Sequence, residues 1–318
     1  MKMDYQFLGQ TKLKVSRLCF GGLTVGPLQA NLPIQEGAEV IAEAFRRGVN
    51  FIDTAEMYQT YPYIRLALEL YGKDDIVIAT KSYAYDEETA KKSLDKALKE
   101  LKRDKIDIFL LHEQESEHTL RGHYDALKYF IKMKEQGVLR AVGISTHTIK
   151  AVQVAGKMHE IDVIHPIINK EGIGIRDGTR DEMLEAIRQA YRNGKGIYGM
   201  KPLGGGNLLH SIEESFDYVL NLDCLHSIAV GMQTKEEVIA NILRFEGKPI
   251  PDEIYDKISK KPRRLLIDFW CERCGNCIQH CSHKALSLKD DKVVVNMDKC
   301  VLCGYCSSYC PQFCIKVV

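Results

Sequence analysis

The sequence predicts an α/β protein in which a (β/α)8 TIM barrel precedes a small, cysteine-rich α+β domain. Short apolar runs alternate with amphipathic stretches through the first 245 residues, a pattern that indicates βα units and a parallel sheet. Eight such units in a segment of this length match the (β/α)8 barrel. Beyond it, nine of the 11 cysteines fall between Cys271 and Cys314.

The predicted barrel strands are short apolar runs, each associated with an amphipathic stretch of helical period. They are residues 17–20, 49–52, 76–79, 106–111, 141–144, 163–168, 196–200 and 227–230. The predicted helices include residues 36–47, 87–102, 124–136, 180–192 and 235–243. Before the first barrel strand, residues 5–8 and 13–15 predict a β-hairpin that could plug one end of the barrel.

A doubly wound sheet is the main alternative for the first domain. It would carry a G-x-G-x-x-G fingerprint after its first strand and an acidic residue further on. Here the first strand ends in Phe20-Gly-Gly-Leu-Thr-Val-Gly26, which is a different pattern. The barrel is therefore favoured for residues 1–245.

Residues 246–268 predict a linker, because glycine, prolines and lysines interrupt the pattern and leave one short helix around residues 253–259. The last domain, residues 269–318, is too small to hold a large apolar core and would need metal as a staple.

Composition excludes several classes of function. The formal net charge is +1, from 44 basic and 43 acidic residues, so no electrostatic footprint for nucleic acid is present. The longest apolar runs are short strands, and the N-terminus has no apolar signal region, so we expect a cytoplasmic protein without a membrane partner. Disulfides are improbable because nothing indicates an oxidising compartment.

The cysteine-rich segment contains an internal repeat with a shift of 29 residues. Both halves read C-x2-C-x2-C-x3-C, and Pro311 follows the second half. Three closely spaced thiolates can hold three irons of one cubane while a remote fourth thiolate closes it. Zinc would require four ligands in C-x2-C pairs, which this spacing fits poorly. The segment resembles the two-cluster bacterial ferredoxin module.

That resemblance implies two [4Fe–4S] clusters, in which the fourth cysteine of each run serves the other cluster. One cluster would be held by Cys271, Cys274, Cys277 and Cys310, and the other by Cys300, Cys303, Cys306 and Cys281. The ninth cysteine, Cys314, stands at the repeat position of Ala285, so we expect it to be a core residue. The small net charge of the segment is more typical of a module fused for local use than of a free electron carrier.

Polar side chains lie at the ends of successive barrel strands, where catalytic groups of such barrels come from. Asp53, Lys81 and His112 each follow an apolar strand core, and Tyr58 comes five residues after Asp53. Each residue alone could be a helix cap, a solvated side chain or a satisfied rim histidine. Their joint occurrence at one rim predicts an active site.

The segments Asp53-Thr-Ala-Glu-Met-Tyr58, Thr80-Lys81 and Leu110-Leu-His112 resemble the tetrad of the aldo-keto reductase family, and the similarity extends over residues 4–245. The resemblance implies that Tyr58 protonates a carbonyl oxygen while a nicotinamide cofactor delivers hydride. Lys81 would lower the pKa of Tyr58, Asp53 would hold Lys81, and His112 would orient the carbonyl.

The resemblance also implies a dinucleotide, NADPH or NADH, across the rim of the barrel. Its expected contacts are Gly22, Leu23, Asp53, Ser145, Thr146, His165, Lys201, Pro202, Leu203, Gly204, Gly206, Gln233, Glu237 and Asn241. Glu237 stands where NADPH-preferring members often have Arg, although Lys235 is close enough in sequence to compensate. The sequence therefore does not decide between NADPH and NADH as the cofactor.

Three functions follow from these patterns. The first is reversible reduction of a small aldehyde or ketone. The second is a redox enzyme whose clusters pass electrons to or from the barrel or a partner protein. The third is a redox or oxygen sensor with structural clusters. The complete tetrad favours the first.

Overall fold

A two-stranded hairpin closes the N-terminal end of the barrel, as predicted. In the computed structural model, which describes residues 3–318, strands β1 (Tyr5–Phe7) and β2 (Lys14–Ser16) pair antiparallel. Leu8 and Leu13 are fully buried beside Phe51 at the start of a barrel strand. The hairpin therefore seals the end of the barrel opposite the predicted rim.

Eight parallel strands form the closed barrel, which confirms the predicted fold class. They are β3 (Leu18–Gly21), β4 (Phe51–Asp53), β5 (Val77–Ser82), β6 (Ile106–Leu111), β7 (Leu139–Thr146), β8 (Val163–Pro166), β9 (Gly196–Met200) and β10 (Ser227–Gly231). Each strand pairs with its neighbour in chain order, and β10 closes the ring on β3. All carboxyl ends therefore meet at one rim.

Helices cover the outside of the barrel. They are α1 (Ile34–Arg46), α2 (Tyr61–Tyr71), α3 (Glu87–Leu101), α4 (Glu117–Gly122), α5 (Tyr124–Glu135), α6 (Ile149–Ala155), α7 (Arg180–Arg192), α8 (Ile212–Leu220), α9 (Lys235–Phe245) and α10 (Asp252–Ser259). Reciprocal capping boxes start α3, α4 and α7 and satisfy backbone N–H groups there. None of the helices described within residues 3–318 is long and apolar enough to cross a membrane.

The small domain repeats one local structure twice. It contains β11 (Leu265–Ile267), α11 (Asn276–Gln279), β12 (Leu286–Lys289), β13 (Lys292–Val295), α12 (Tyr305–Ser308) and β14 (Ile315–Val317). β11 pairs antiparallel with β14, and β12 with β13. Gly275 and Gly304 precede α11 and α12 with φ of 81° and 76°, a conformation that favours glycine.

The second half of the repeat packs against the barrel. Asn207 Nδ2 donates to the Ile315 carbonyl at 3.0 Å. A Cβ on Gly206 would lie 2.0 Å from the Val317 carbonyl oxygen, and one on Gly304 would lie 2.5 Å from that of Asn207. The glycine loop after β9 is therefore in direct contact with β14.

We expect Gly143→Ala to destabilise the barrel. Its new Cβ would stand 1.8 Å from the Val163 carbonyl oxygen on the adjacent strand, and overpacking of this kind typically costs about 1–3 kcal/mol. Gly122→Ala is the matched control, because nothing lies within 4 Å of its Cβ position. Gly122 is the exposed last residue of α4, so that change should alter stability by no more than about 0.5 kcal/mol. Equal urea midpoints for the two variants would contradict the close packing of β7 on β8.

Candidate functional site

A buried ion pair lies at the carboxyl ends of β4 and β5. Lys81 Nζ donates to both carboxylate oxygens of Asp53, at 2.8 and 2.7 Å, and to the Thr54 carbonyl at 2.7 Å. Lys81 is 1% exposed and Asp53 is 5% exposed. Since each charge has a close partner, the pair is held in one geometry at the rim.

Tyr58 and His112 complete the predicted group of four. The Tyr58 hydroxyl lies 3.4 Å from His112 Nε2, and Lys81 Nζ lies 5.0 Å from the centroid of the Tyr58 ring. Tyr58 follows β4 in a short 3-10 turn, and His112 directly follows β6. The closed barrel therefore brings the four side chains together, as the sequence predicts.

Burial raises the pKa of Tyr58 well above its ordinary value, and the negative charge of Asp53 raises it further. This direction is opposite to the one expected from Lys81, and the effect of Lys81 on this pKa stays a prediction. Lys81 Nζ is paired with Asp53, which offsets the charge that it presents to the hydroxyl. The phenol therefore stays protonated at neutral pH.

His112 is neutral in this environment. Burial lowers the pKa of its imidazole well below the usual range, and the positive charges of Lys81 and Lys201 lower it further. Tyr83 stacks on the imidazole with ring centroids 4.6 Å apart. The Nδ1 atom of His112 is buried and lacks a hydrogen-bond partner among the described residues. A neutral imidazole here can orient a carbonyl oxygen without adding charge.

Tyr198 belongs to the same network, although sequence reasoning did not identify it. Its hydroxyl donates to Asp53 Oδ1 at 2.8 Å, and its ring stacks on His165 at a centroid distance of 3.8 Å. Tyr198 is a strand residue that points into the barrel and is fully buried. Its position at the middle of the Gly-Ile-Tyr-Gly-Met strand is the signal that could have revealed it.

A groove of about 1160 Å³, including space open to solvent, runs from Tyr58 and Met200 across the glycine loop to α9. Ten of the expected nucleotide contacts line it: Leu23, Asp53, His165, Lys201, Pro202, Leu203, Gly206, Gln233, Glu237 and Asn241. The structure does not place Gly22, Ser145, Thr146 or Gly204 on its wall. Ser145 Oγ accepts from the Glu113 amide, and Thr146 Oγ1 from that of Thr148.

The linker and the small domain also line this groove, which the sequence did not indicate. They contribute Ile258, Arg263, Lys316, Val317 and Val318. The C-terminal strand therefore forms part of the wall of a groove that begins at the tetrad of the barrel.

Glu237 is compensated by the linker and not by Lys235. Lys261 Nζ lies 3.0 Å and Arg263 Nη2 lies 3.4 Å from Glu237 Oε1. Lys235 instead pairs with Glu39 at 2.9 Å on the surface. This end of the groove therefore carries a net positive charge, which the linker supplies.

The eight repeat cysteines surround two cavities in the small domain. Cys271, Cys274, Cys277 and Cys310 line one of about 350 Å³, together with Cys314. Cys281, Cys300, Cys303 and Cys306 line the other, of about 390 Å³. The grouping is the one expected from the crossed ligand pattern. All cysteines are free thiols. Within residues 3–318, no group of three or more His, Cys, Asp or Glu side chains is arranged so that it could hold a single metal ion.

Two family profiles match the chain. The aldo/keto reductase family covers residues 17–259, and a 4Fe-4S dicluster domain covers residues 265–311. The division agrees with the barrel and the small cysteine-rich domain.

Known proteins resemble the barrel. L-galactose dehydrogenase of Arabidopsis thaliana is 26% identical over 222 residues, covering 65% of this chain and 67% of that protein. Methylglyoxal reductase DkgA of Yersinia pestis is 26% identical over 186 residues, covering 55% and 65%. The matches thus span about two thirds of these relatives.

Among solved structures, aldo-keto reductase AKR11C1 of Bacillus halodurans shares the fold. Its holo form superposes with a TM-score of 0.64 at 21% identity and covers 81% of this chain and 96% of that one. Its apo form gives 0.62 at 22% identity, covering 81% and 95%.

Proposed function

This chain belongs to the aldo/keto reductase family and carries a 4Fe-4S dicluster domain behind its barrel, and from that premise we propose that it reduces a small aldehyde or ketone reversibly with NADPH or NADH. The observation that carries the proposal is the pair of Tyr58 Oη and His112 Nε2 atoms, 3.4 Å apart at the open rim above a buried ammonium. A carbonyl oxygen that meets both atoms would accept a hydrogen bond and a proton together.

Each member of the tetrad has a separate task in this proposal. Tyr58 holds the proton on its hydroxyl, and burial keeps it there until the carbonyl oxygen becomes basic. Neutral His112 orients the carbonyl. Lys81 and Asp53 form a fixed ion pair that positions the ammonium beside the Tyr58 ring. A nicotinamide dinucleotide in the groove would supply the hydride.

The residues that line the groove support the binding of such a dinucleotide. One end contains Tyr58, His165 and Met200, and the other end contains Glu237 and Arg263. The first end suits the reacting ring, because Tyr58 lies there. The second suits an adenosine that bears a 2′-phosphate, because the cations of the linker lie there. The net positive charge beside Glu237 favours a 2′-phosphate, so we propose NADPH as the better cofactor.

The small domain would hold two [4Fe–4S] clusters, one in each cysteine-lined cavity. Four thiolates around a cavity match the coordination of a cubane. The protein should therefore be isolated brown and oxygen-sensitive, with about eight irons per chain.

A second candidate is electron transfer between the clusters and the barrel. It is favoured by the contact of the small domain with the groove, where Lys316 and Val317 form part of the wall. Anaerobic addition of NADPH without a carbonyl distinguishes the two. If the protein only transfers hydride to a carbonyl, NADPH alone should leave the cluster absorbance unchanged. Bleaching of the clusters that accompanies oxidation of NADPH would support the second candidate.

The pH dependence follows from the raised pKa of Tyr58. Carbonyl reduction needs the protonated phenol, so its kcat should not fall through ionisation of Tyr58 below about pH 10, the ordinary value for a tyrosine. Alcohol oxidation needs the phenolate, so its kcat should rise with pH over the same range. A loss of reductase activity with a midpoint near about pH 7 would show that Lys81 does lower this pKa.

A further inference from the structure

The barrel and the small domain each place one lysine ammonium on the same aromatic ring. Lys201 Nζ lies 4.8 Å and Lys316 Nζ lies 3.4 Å from the centroid of Phe313. Phe313 is 3% exposed and Lys316 is 4% exposed. Two cations are thus held close together at the boundary between the domains, on the wall of the groove.

The residues around these two charges give Lys316 one distant carboxylate and a hydrogen bond to the Phe313 carbonyl, and give Lys201 no direct ion pair within the described residues. The carboxylate nearest to Lys316 is Asp268, at 3.7 Å. Lys201 forms no ion pair within the described part of the chain, and its Nζ contacts His147 Nε2 at 2.9 Å. Burial lowers the pKa of His147 well below the usual range, so that imidazole is neutral. The carboxylates whose charges act on Lys201 are those of Glu113 and Asp268, and neither forms a direct ion pair with it within the described residues.

An uncompensated buried charge is costly unless a ligand neutralises it. Burial lowers the pKa of Lys316, and the positive charge of Lys201 lowers it further. Burial also lowers the pKa of Lys201, to about 8. A bound anion would therefore reduce the cost of burying the two ammonium charges. Both lysines line the open groove.

The repeat shows that this arrangement is not required by the fold of the small domain. Lys316 occupies the position that Ser287 has in the first half, and Ser287 is exposed. The first half makes no comparable contact at Gly275, whereas Gly304 packs on Asn207. The lysine thus occurs in the half that faces the barrel.

We propose that Lys201 and Lys316 form a binding site, divided between the two domains, for the phosphate groups of the dinucleotide. The position of Lys316 along the groove supports this assignment. Its Cδ atom lies 2.6 Å from the place where Gly205 would carry a Cβ, and the glycine loop lies between the Tyr58 end and the Glu237 end. A dinucleotide that spans the groove has its pyrophosphate in that middle section. The inference rests on the proposed nicotinamide function and adds that the site is complete only with the small domain in place.

The test compares ligands that differ in their phosphates. Anaerobic calorimetry on the cluster-loaded protein would measure Kd for NADPH, NADH, ADP-ribose and adenosine. We expect Lys316→Met to weaken the first three by about 10- to 100-fold, the range for hydrogen bonds to a charged group. Adenosine, which has no phosphate, should bind unchanged, and Lys316→Arg should recover most of the affinity. Lys299→Met, an exposed lysine in the same domain, should match the native protein.

A second variant keeps the test independent of the folding of the small domain. Lys201→Met changes the barrel side of the site and should show the same selective loss for phosphate-bearing ligands. Iron content and cluster absorbance, measured on every variant, show that the small domain is intact.

The outcomes separate the two levels of the proposal. If native protein binds NADPH and ADP-ribose and neither lysine variant weakens them, the divided phosphate site is overturned while the proposed function stands. An equal loss for adenosine would also overturn it, because the effect would then be structural. Higher KM values for carboxylate-bearing carbonyls, with ADP-ribose unchanged, would assign the cations to a substrate anion instead. If native protein binds neither dinucleotide, the proposed function itself fails.

Discussion

Tyr58→Phe is expected to reduce kcat for carbonyl reduction by about 10²- to 10⁴-fold, the usual contribution of a positioned general acid. The substitution removes one hydroxyl and leaves the ring, and with it the 5.0 Å contact to Lys81 Nζ. His112 would still donate a hydrogen bond to the carbonyl oxygen. The Tyr58 hydroxyl, which lies 3.4 Å from His112 Nε2 in the native protein, would no longer be there to supply a proton. The Kd for NADPH should stay within about twofold, because the lost proton is used in the transition state.

The measurement is anaerobic oxidation of NADPH with a panel of small aldehydes and ketones, together with Kd from calorimetry. Tyr85→Phe is the matched control, because this tyrosine lies at the same rim and is 57% exposed. It should retain native turnover. If Tyr58→Phe also turns over within threefold of the native rate, the general acid is another group and the tetrad assignment is wrong.

Cys310→Ala is expected to lower the iron content from about eight to about four atoms per chain. Cys310 lies on the wall of the cavity formed with Cys271, Cys274 and Cys277. An incomplete set of thiolates would leave one cubane with an open corner, which favours loss of the cluster. Because the domain has a small apolar core, we also expect the variant to unfold at a lower temperature.

Cys314→Ala provides a close control, since Cys314 lines the same cavity. It contacts Cys310 through its side chain and through its backbone, whose amide donates to Cys310 Sγ at 3.3 Å. Alanine retains that amide, and the repeat places Ala285 at the same position. Iron analysis and low-temperature EPR of the reduced protein should show two clusters in this variant. The reverse result, with two clusters in Cys310→Ala and one in Cys314→Ala, would exchange the roles of the two cysteines.

Sequence patterns predicted the barrel well because its strands are buried on both faces and therefore are continuous apolar runs. The strands at Ile106–Leu111 and Gly196–Met200 have the predicted bounds. The helices predicted from the sequence do not include α2 (Tyr61–Tyr71), α6 (Ile149–Ala155) or α8 (Ile212–Leu220). The last two are short, with few turns over which an apolar period can be recognised.

The membership of the candidate site was also readable from the sequence, whereas its electrostatics were not. Parallel strands bring Asp53, Lys81 and His112 to one rim whatever the exact packing. The pKa of Tyr58 depends instead on which atom Lys81 Nζ faces, and the structure directs it to the carboxylate of Asp53. Similarly, nothing in the order of residues shows that Lys261, and not Lys235, lies beside Glu237.

By itself, the sequence determined the parts of this protein that depend on period and spacing. The alternation of strands and helices specified the barrel, and the 29-residue cysteine repeat specified two similar halves. Tertiary structure alone decided which half faces the barrel and what that contact does. Lys316 and Ser287 are equivalent in the repeat, yet Lys316 is buried beside Lys201 and Ser287 is exposed. The physical reason is that burial and charge compensation arise from tertiary contacts between residues that are distant in sequence, such as Lys201 and Phe313, which local sequence patterns do not encode.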